Sequence, residues 1–138
     1  MKRISRLLLL SLCLIFTLIA CTDKDEVTYS AKASDFEGVG FERNGQKIWV
    51  FEEELFIYAA YNNPEAKRKT SIDKIIESED AVSGNYYEKR YKNAKIKTEK
   101  DMYYITAEGI SLTFQKTGER IVSDEEGMEY YTSEYQKE

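Results

Sequence analysis

The 138-residue chain is long enough for one domain, and its 25 acidic and 20 basic residues give a net charge of −5. It contains no histidine, which removes the commonest general base and the commonest neutral metal ligand. Both cysteines, Cys13 and Cys21, lie in the first 21 residues, so the sequence predicts neither a disulfide nor a cysteine metal site in the domain that follows.

The N-terminus has the parts of a secretory signal. Lys2, Arg3 and Arg6 form a positive region, and 14 apolar or small residues follow from Leu7 to Ala20. This run is too short to span a bilayer core, which needs about 20 residues. A buried core helix would not explain the three cations before it. The sequence therefore predicts a signal peptide over residues 1–20.

The end of the apolar run, Leu18-Ile19-Ala20-Cys21, resembles a bacterial lipobox, in which a branched apolar residue, a tolerant position and a small residue precede a cysteine. The resemblance identifies a lipoprotein with a type II signal peptide, in which Cys21 is lipidated on sulfur and becomes the first mature residue. Two acyl chains on this cysteine would hold the protein stably on a membrane, where a single chain binds only marginally.

Residues 21–33 are polar, and we expect the lipidated cysteine and a flexible tether there. The acidic run Asp23 to Glu26 resembles the surface-export signal of Bacteroidetes lipoproteins, and an ordinary charged linker is the alternative. Thr22 resembles the residue that directs lipoproteins to the outer membrane in many Gram-negative bacteria. We therefore expect a lipid-anchored, extracytoplasmic protein on the cell membrane or the outer membrane.

Residues 34–138 read as one antiparallel β domain. Its clearest unit is a hairpin in "VGFERNGQKIWVFEE", where Asn44-Gly45 suits a type I′ turn. This turn predicts Phe41 opposite Ile48 and Val39 opposite Val50, with all four side chains on one face. It also sets Gly40 opposite Trp49.

One segment, "TSIDKIIESED", has helical spacing of its isoleucines, and Thr70 and Asp73 stand at capping-box spacing, so we expect a helix of about two turns there. The remaining segments read as short strands separated by turns. The fold class that we predict is mainly β, a small antiparallel barrel or sandwich of about 7–9 strands with one short helix. The predicted strands after the hairpin are Leu55–Tyr61, Asn85–Tyr91, Ala94–Thr98, Met102–Thr106, Ile110–Gln115, Arg120–Ser123 and Met128–Ser133.

The C-terminal stretch "ITAEGISLTFQKTGERIVSDEEGMEYY" resembles the closing hairpins of small lipocalin-like lipoproteins. In those proteins a strand ending in an aromatic residue precedes a glycine turn, a short strand, an acidic glycine turn and a final aromatic strand. The resemblance covers about a fifth of the chain and implies a barrel-like fold without specifying a ligand.

No residue pattern indicates catalysis. The acidic runs 52–54 and 124–126 are interpreted as solvated turn charge, because three consecutive carboxylates cannot all point at one cation. Neither a G-x-S-x-G elbow nor a phosphate-binding glycine loop occurs. We therefore predict a protein that is not an enzyme, with no catalytic residue, metal site or cofactor.

The segment from Tyr86 to Lys100 holds six cations and two anions. In a hairpin turning at Lys92-Asn93, Arg90 would lie opposite Lys95 and Glu88 opposite Lys97. The sequence predicts a basic, tyrosine-rich binding face here, and a solvated face that protects a strand edge is the alternative. The face comprises Arg90, Lys95, Lys97, Tyr86, Tyr87 and Tyr91. A second group, Tyr103, Tyr104, Tyr130 and Tyr131, could line a cleft or pack on the rim of the core.

Loss of the signal peptide removes three cations and no acids, which takes the net charge from −5 to −8 and argues against nucleic-acid binding. We expect a binding module for another protein or an anionic envelope component. The alternative is a lipocalin-like carrier of a small apolar ligand, which needs an apolar cavity inside the barrel.

Overall fold

The computed structural model describes residues 28–60, 67–78 and 87–132. They form one nine-stranded antiparallel sheet, curled into a half-barrel, and a single α-helix, which confirms the predicted fold class. The predicted signal peptide and Cys21 lie outside the described residues. The elements are β1 Phe41–Arg43, β2 Gln46–Phe51, β3 Glu54–Ala59, α1 Ser71–Ser78, β4 Tyr87–Tyr91, β5 Lys95–Glu99, β6 Met102–Ala107, β7 Ile110–Gly118, β8 Ile121–Asp124 and β9 Glu129–Tyr131.

The strand order is β4-β3-β2-β1-β9-β8-β7-β6-β5, so β4 and β5 lie at opposite edges although they are consecutive in the chain. The residues between them form a corner. The Ala94 N–H donates to the Glu53 carbonyl at 2.7 Å, and the Glu108 N–H donates to the Lys92 carbonyl at 2.9 Å. These bonds join the β2–β3 turn and the β6–β7 turn to the corner, so the sheet curls until its two edges approach each other there.

The predicted hairpin at Lys92-Asn93 is therefore wrong. Strand β4 pairs with β3, and β5 pairs with β6. Pairing with β3 sets Tyr91 beside Leu55 and Tyr87 beside Ala59, and all four side chains are buried. The burial of two tyrosine rings favours this pairing over a local hairpin, because apolar area removed from water is the largest stabilising contribution.

The first hairpin has the predicted register over its turn. Phe41 lies opposite Ile48 and Arg43 opposite Gln46, and the φ angles of Asn44 and Gly45 are +46° and +79°, as a type I′ turn requires. The register ends at Gly40, whose φ is +65° and which leaves no room for a side chain against β2.

The chain turns away at Gly40, so the prediction that Val39 lies opposite Val50 on the inner face is wrong. Val39 is 53% exposed, and Glu37 forms a parallel bridge to Val50 instead. The bridge is held by the Gly38 N–H, which donates to the Val50 carbonyl at 2.9 Å, and by the Val50 N–H, which donates to the Phe36 carbonyl at 2.8 Å.

Phe36 fills the space between the two halves of the curled sheet. Its ring centroid lies 4.7 Å from that of Phe41 in β1, 5.0 Å from that of Tyr103 in β6 and 5.2 Å from that of Phe114 in β7. All four side chains are at most 2% exposed. Burying each ring contributes about 2–3 kcal/mol, so these contacts join the halves of the sheet. Aromatic rings thus occupy the centre of the described interior.

Helix α1 starts with the predicted capping box. The Asp73 N–H donates to Thr70 Oγ1 at 3.0 Å, and the Thr70 N–H donates to Asp73 Oδ2 at 2.8 Å. Ile72 and Ile76 are fully buried on its inner face. Gln46 Nε2 donates to Asp73 Oδ1 at 2.6 Å, which fixes the start of the helix against β2.

Candidate functional site: an outward-facing cation–aromatic ladder

The outer face of β2, β3 and β4 carries large rings. Alternation along β2 buries Ile48 and Val50 inside and leaves Trp49 outside. Trp49 lies opposite Phe56 of β3, which in turn lies opposite Arg90 of β4. Antiparallel pairing therefore brings one side chain from each of three strands into a single row across the sheet.

The side chains in this row stack on one another. The ring centroids of Trp49 and Phe56 lie 4.9 Å apart with an interplanar angle of 11°. Arg90 Cζ lies 5.0 Å from the Phe56 centroid, and Lys47 Nζ lies 5.3 Å from the Trp49 centroid. We call Lys47, Trp49, Phe56 and Arg90 the cation–aromatic ladder.

The ladder is stabilised by its own contacts. The stacked ring pair contributes about 0.5–1.5 kcal/mol beyond its buried area, and each exposed cation–ring contact contributes about 0.5–1 kcal/mol. Phe56 points outward and is still only 8% exposed, because Trp49 and Arg90 cover its two faces. The ladder is thus an ordered surface, which a partner can contact without ordering these side chains first.

The neighbouring row on the same face, from which Lys47 reaches over Trp49, has mixed charge. Across β9, β1, β2, β3 and β4 it runs through Tyr131, Glu42, Lys47, Tyr58 and Glu88. Trp, Tyr, Phe and Arg are the residue types that protein–protein interfaces concentrate at their centres. Acids and bases alternate here, so the surface is not the uniformly positive one that an anionic polymer prefers.

The structure divides the six residues of the predicted basic face. Arg90 belongs to the ladder, whereas Lys95 and Lys97 are exposed on β5 at the other edge of the sheet. Tyr87 and Tyr91 are 5% and 6% exposed, and their hydroxyl oxygens lie 3.0 Å apart inside the fold. Tyr86 lies outside the described residues. The four tyrosine and lysine residues of this face that the structure describes therefore do not form one surface with Arg90.

The second tyrosine group alternates between inside and outside. Tyr103 and Tyr130 are fully buried, whereas Tyr104 is 37% exposed and Tyr131 is half-buried. Trp49 and Phe56 were not among the residues predicted to form a site. The predicted hairpin already put Trp49 on the face opposite to Ile48 and Val50. The contact between Phe56 and Arg90 could not be expected, because β4 was predicted to pair with β5 and not with β3.

Two polar clusters hold the fold together, a partly buried one around Asp35 and a buried one around Asp124. Asp35 accepts hydrogen bonds from the Tyr103 hydroxyl and from Lys116 Nζ, the latter at 2.7 Å. Burial alone would raise the pKa of Asp35, but the hydrogen bonds from Lys116, Tyr103 and the Lys32 N–H outweigh it and hold the pKa below its ordinary value. Burial, and then the Asp35 carboxylate, raise the pKa of the Tyr103 hydroxyl, which therefore stays protonated.

The other cluster centres on Asp124, whose sequence context was interpreted as solvated turn charge. Its carboxylate is 6% exposed and accepts from the Ser71 N–H at 2.8 Å and from the Tyr130 hydroxyl at 3.2 Å. It also accepts from the N–H groups of Glu126 and Met128 at 3.0 and 2.8 Å. Asp124 thus binds the start of α1 to the β8–β9 turn, so the interpretation is wrong for this residue.

A groove lies beside the β2–β3 turn, with a volume of about 460 Å³. Among the residues that the structure describes, no group of three or more acidic or cysteine side chains is arranged to hold a metal ion. No helix in the described ranges has both the length and the apolar character that a membrane crossing requires.

Fold and surface together define a small protein built on one curled antiparallel sheet, with an ordered aromatic and cationic surface on its outer face. No family model matches the chain, and comparisons with curated proteins and with solved structures gave no match either.

Proposed function

We propose that the protein is a lipid-anchored, extracytoplasmic lipoprotein whose β domain binds a partner protein through the cation–aromatic ladder. The observation that carries the proposal is the stack of Trp49 on Phe56 with a cation at each end. A large ring and an arginine held in place on a partly exposed sheet face are typical of the residues that dominate protein–protein binding energy. The signal peptide and lipobox pattern supports the location.

A protein partner fits this face better than an anionic polymer, because Glu42 and Glu88 lie in the row next to the ladder. The alternative of a carrier for a small apolar ligand gains no support from the described interior. Phe36 and the three rings around it occupy the centre where such a ligand would lie.

Cross-linking in intact cells tests the binding surface. Full-length tagged protein should give a cross-linked species with its partner, and Trp49→Ala or Arg90→Glu should reduce that species at least about tenfold, since central aromatic and arginine residues each contribute about 2 kcal/mol or more. The matched controls are Tyr104→Ala and Lys97→Glu, an exposed aromatic residue and the cation opposite it on the other half of the sheet.

Both controls should leave the cross-linked species unchanged. If Lys97→Glu or Lys95→Glu removes the species while Trp49→Ala does not, the binding face lies on β5 and the ladder is not the interface. Thermal unfolding of each variant separates a lost contact from a lost fold.

Replacement of the proposed lipidated residue tests the location. Cys21→Ser removes the thiol that the lipid transfer needs, so the protein should leave the membrane fraction or accumulate with its signal peptide uncut. Metabolic labelling with a fatty acid and fractionation measure this, with Cys13→Ser as the control that keeps its label. Normal labelling of the Cys21→Ser protein would contradict the lipoprotein proposal.

A further inference from the structure

The groove beside the β2–β3 turn combines an apolar floor with an acidic rim. Val50 and Ala94 form buried parts of its lining, and Ile96 is half-buried beside them. The exposed residues Glu37, Glu52 and Glu53 also line it, and none of its lining residues carries a positive charge. Its volume of about 460 Å³ falls in the range of sites that take a ligand.

An exposed ring is part of the same groove. Phe51 lines it and is 52% exposed, and the neighbouring Val39 is 53% exposed. These are the two most exposed large apolar side chains among the described residues. An apolar wall whose charged lining residues are all glutamates complements a group that has an apolar stem and a cationic head.

We propose that this acidic-rimmed groove receives an arginine side chain of the partner, an inference that rests on the proposed function as a protein-binding module. Arginine fits better than lysine for two reasons. Its planar guanidinium stacks on an exposed ring such as Phe51, and its five donors match carboxylate geometry. Its methylene stem would lie along Val50 and Ile96, while Glu52 and Glu53 meet the charge.

Strand β2 carries residues of both the ladder and the groove. Phe51 lies two residues after Trp49 in β2, so both side chains leave the same face of the strand about 7 Å apart. A partner that covers the ladder can therefore place a side chain in the groove without a separate contact elsewhere. The two surfaces have opposite charges, which fixes the direction in which a partner segment with an acidic and a basic end would lie.

Two small probes of similar size and shape, one cationic and one neutral, test the groove directly. Full-length protein in detergent micelles, labelled at its methyl groups, is titrated with n-pentylguanidinium and separately with the neutral n-pentylurea. The methyl resonances of Val50, Ala94 and Ile96 should shift saturably with n-pentylguanidinium and at least about threefold more weakly with n-pentylurea, as loss of exposed ion pairs implies.

The variants identify the carboxylates. Glu52→Gln with Glu53→Gln should remove most of the preference for n-pentylguanidinium over n-pentylurea, because only Glu37 then remains charged on the rim. Glu54→Gln is the matched control, because Glu54 is the next residue in the chain but does not line the groove, and it should leave the affinity unchanged. Equal affinity for the two probes, or no saturable shift of these methyl resonances, would overturn the inference.

Failure of the groove and failure of the proposed function give different results. If the proposed function fails, Trp49→Ala leaves the partner cross-link intact, whatever the probes do. If only the groove inference fails, the ladder variants lose the partner while the probes do not bind. If the probes bind but Glu52→Lys with Glu53→Lys leaves the partner cross-link unchanged, the groove takes a small organic cation, and the assignment to an arginine of the partner is wrong.

Discussion

Gly40 shows how one missing side chain lets the chain leave the first hairpin. Its φ of +65° is strained for other residues, and a Cβ there would lie 2.1 Å from the Ile48 carbonyl oxygen. Gly109 has a similar φ of +76°, but nothing lies within 4 Å of its Cβ position. A comparison of the two glycines therefore separates the cost of the backbone strain, which both share, from the cost of the steric clash, which only Gly40 has.

We expect Gly109→Ala to lower the free energy of unfolding by about 1 kcal/mol, the cost of a left-handed conformation for a residue with a side chain. Gly40→Ala should cost at least about 2 kcal/mol more, because the clash must also displace β2. Urea unfolding of both variants measures the difference. Equal losses would mean that β2 moves freely and that Gly40 is needed only for its φ angle.

Single residues also show where sequence reasoning ends. The Asn44-Gly45 turn could be predicted, because its residue types match one turn geometry. The inward direction of the Tyr87 and Tyr91 side chains could not be predicted, because tyrosine occurs both in the core and on its rim. Their partners also come from β3, which is distant in sequence. The burial of Asp124 could not be predicted either, because its carboxylate accepts from the Ser71 N–H at the start of α1, 53 residues away in the chain.

At the scale of elements, two turns of the same kind have different residues. The β1–β2 turn uses Asn44-Gly45, whereas the β2–β3 turn uses Glu52 and Glu53 with φ angles of +49° and +59°. Glutamate in this conformation costs about 1–2 kcal/mol per residue. The costlier turn places two carboxylates on the rim of the groove.

Replacing Glu52-Glu53 with Asn-Gly should therefore raise the free energy of unfolding by about 1 kcal/mol or more, because these residues adopt the turn without strain. The same variant should lose most of its preference for n-pentylguanidinium over n-pentylurea. Chemical denaturation and the methyl titration measure the two effects. A less stable variant would show that the carboxylates hold the turn themselves, which contradicts the idea that they are kept for binding.

The elements could be predicted better than their pairing. The helix, the turn of the first hairpin and the strand that contains Leu112 and Phe114 follow from local patterns. The separation of β4 and β5 does not follow from a local pattern. Lys92-Asn93 resembles a hairpin turn, and the β3–β4 contacts that compete with a hairpin join residues distant in sequence. The same pairing places Arg90 opposite Phe56 and not opposite Lys95, where the predicted basic face had it.

At the scale of the whole molecule, Asp35 links the segment before β1 to β6 and β7. Since its pKa is lowered in the folded protein, it stabilises the fold above its ordinary pKa, and this contribution is lost as the pH falls through the lowered value.

The stability advantage of the wild-type protein over Asp35→Asn should be full at about pH 6 and should shrink as the pH falls below about 4. Urea unfolding over this range measures it, and Asp101→Asn, a carboxylate nearer the surface, is the control. An advantage that stays constant down to about pH 2 would contradict the role given to the Asp35 carboxylate.

The strand order has a consequence for how the chain folds. Except for the pair β1–β9, every strand pairs only with its neighbours in the chain. The set β1 to β4 meets the set β5 to β9 at that pair, where Glu42 lies opposite Tyr131 and Arg43 Nη1 donates to the Glu129 carbonyl, 86 residues away. Contacts between such distant residues form late, because the chain between them must first be ordered. Substitutions at this seam should therefore speed unfolding and leave the folding rate nearly unchanged.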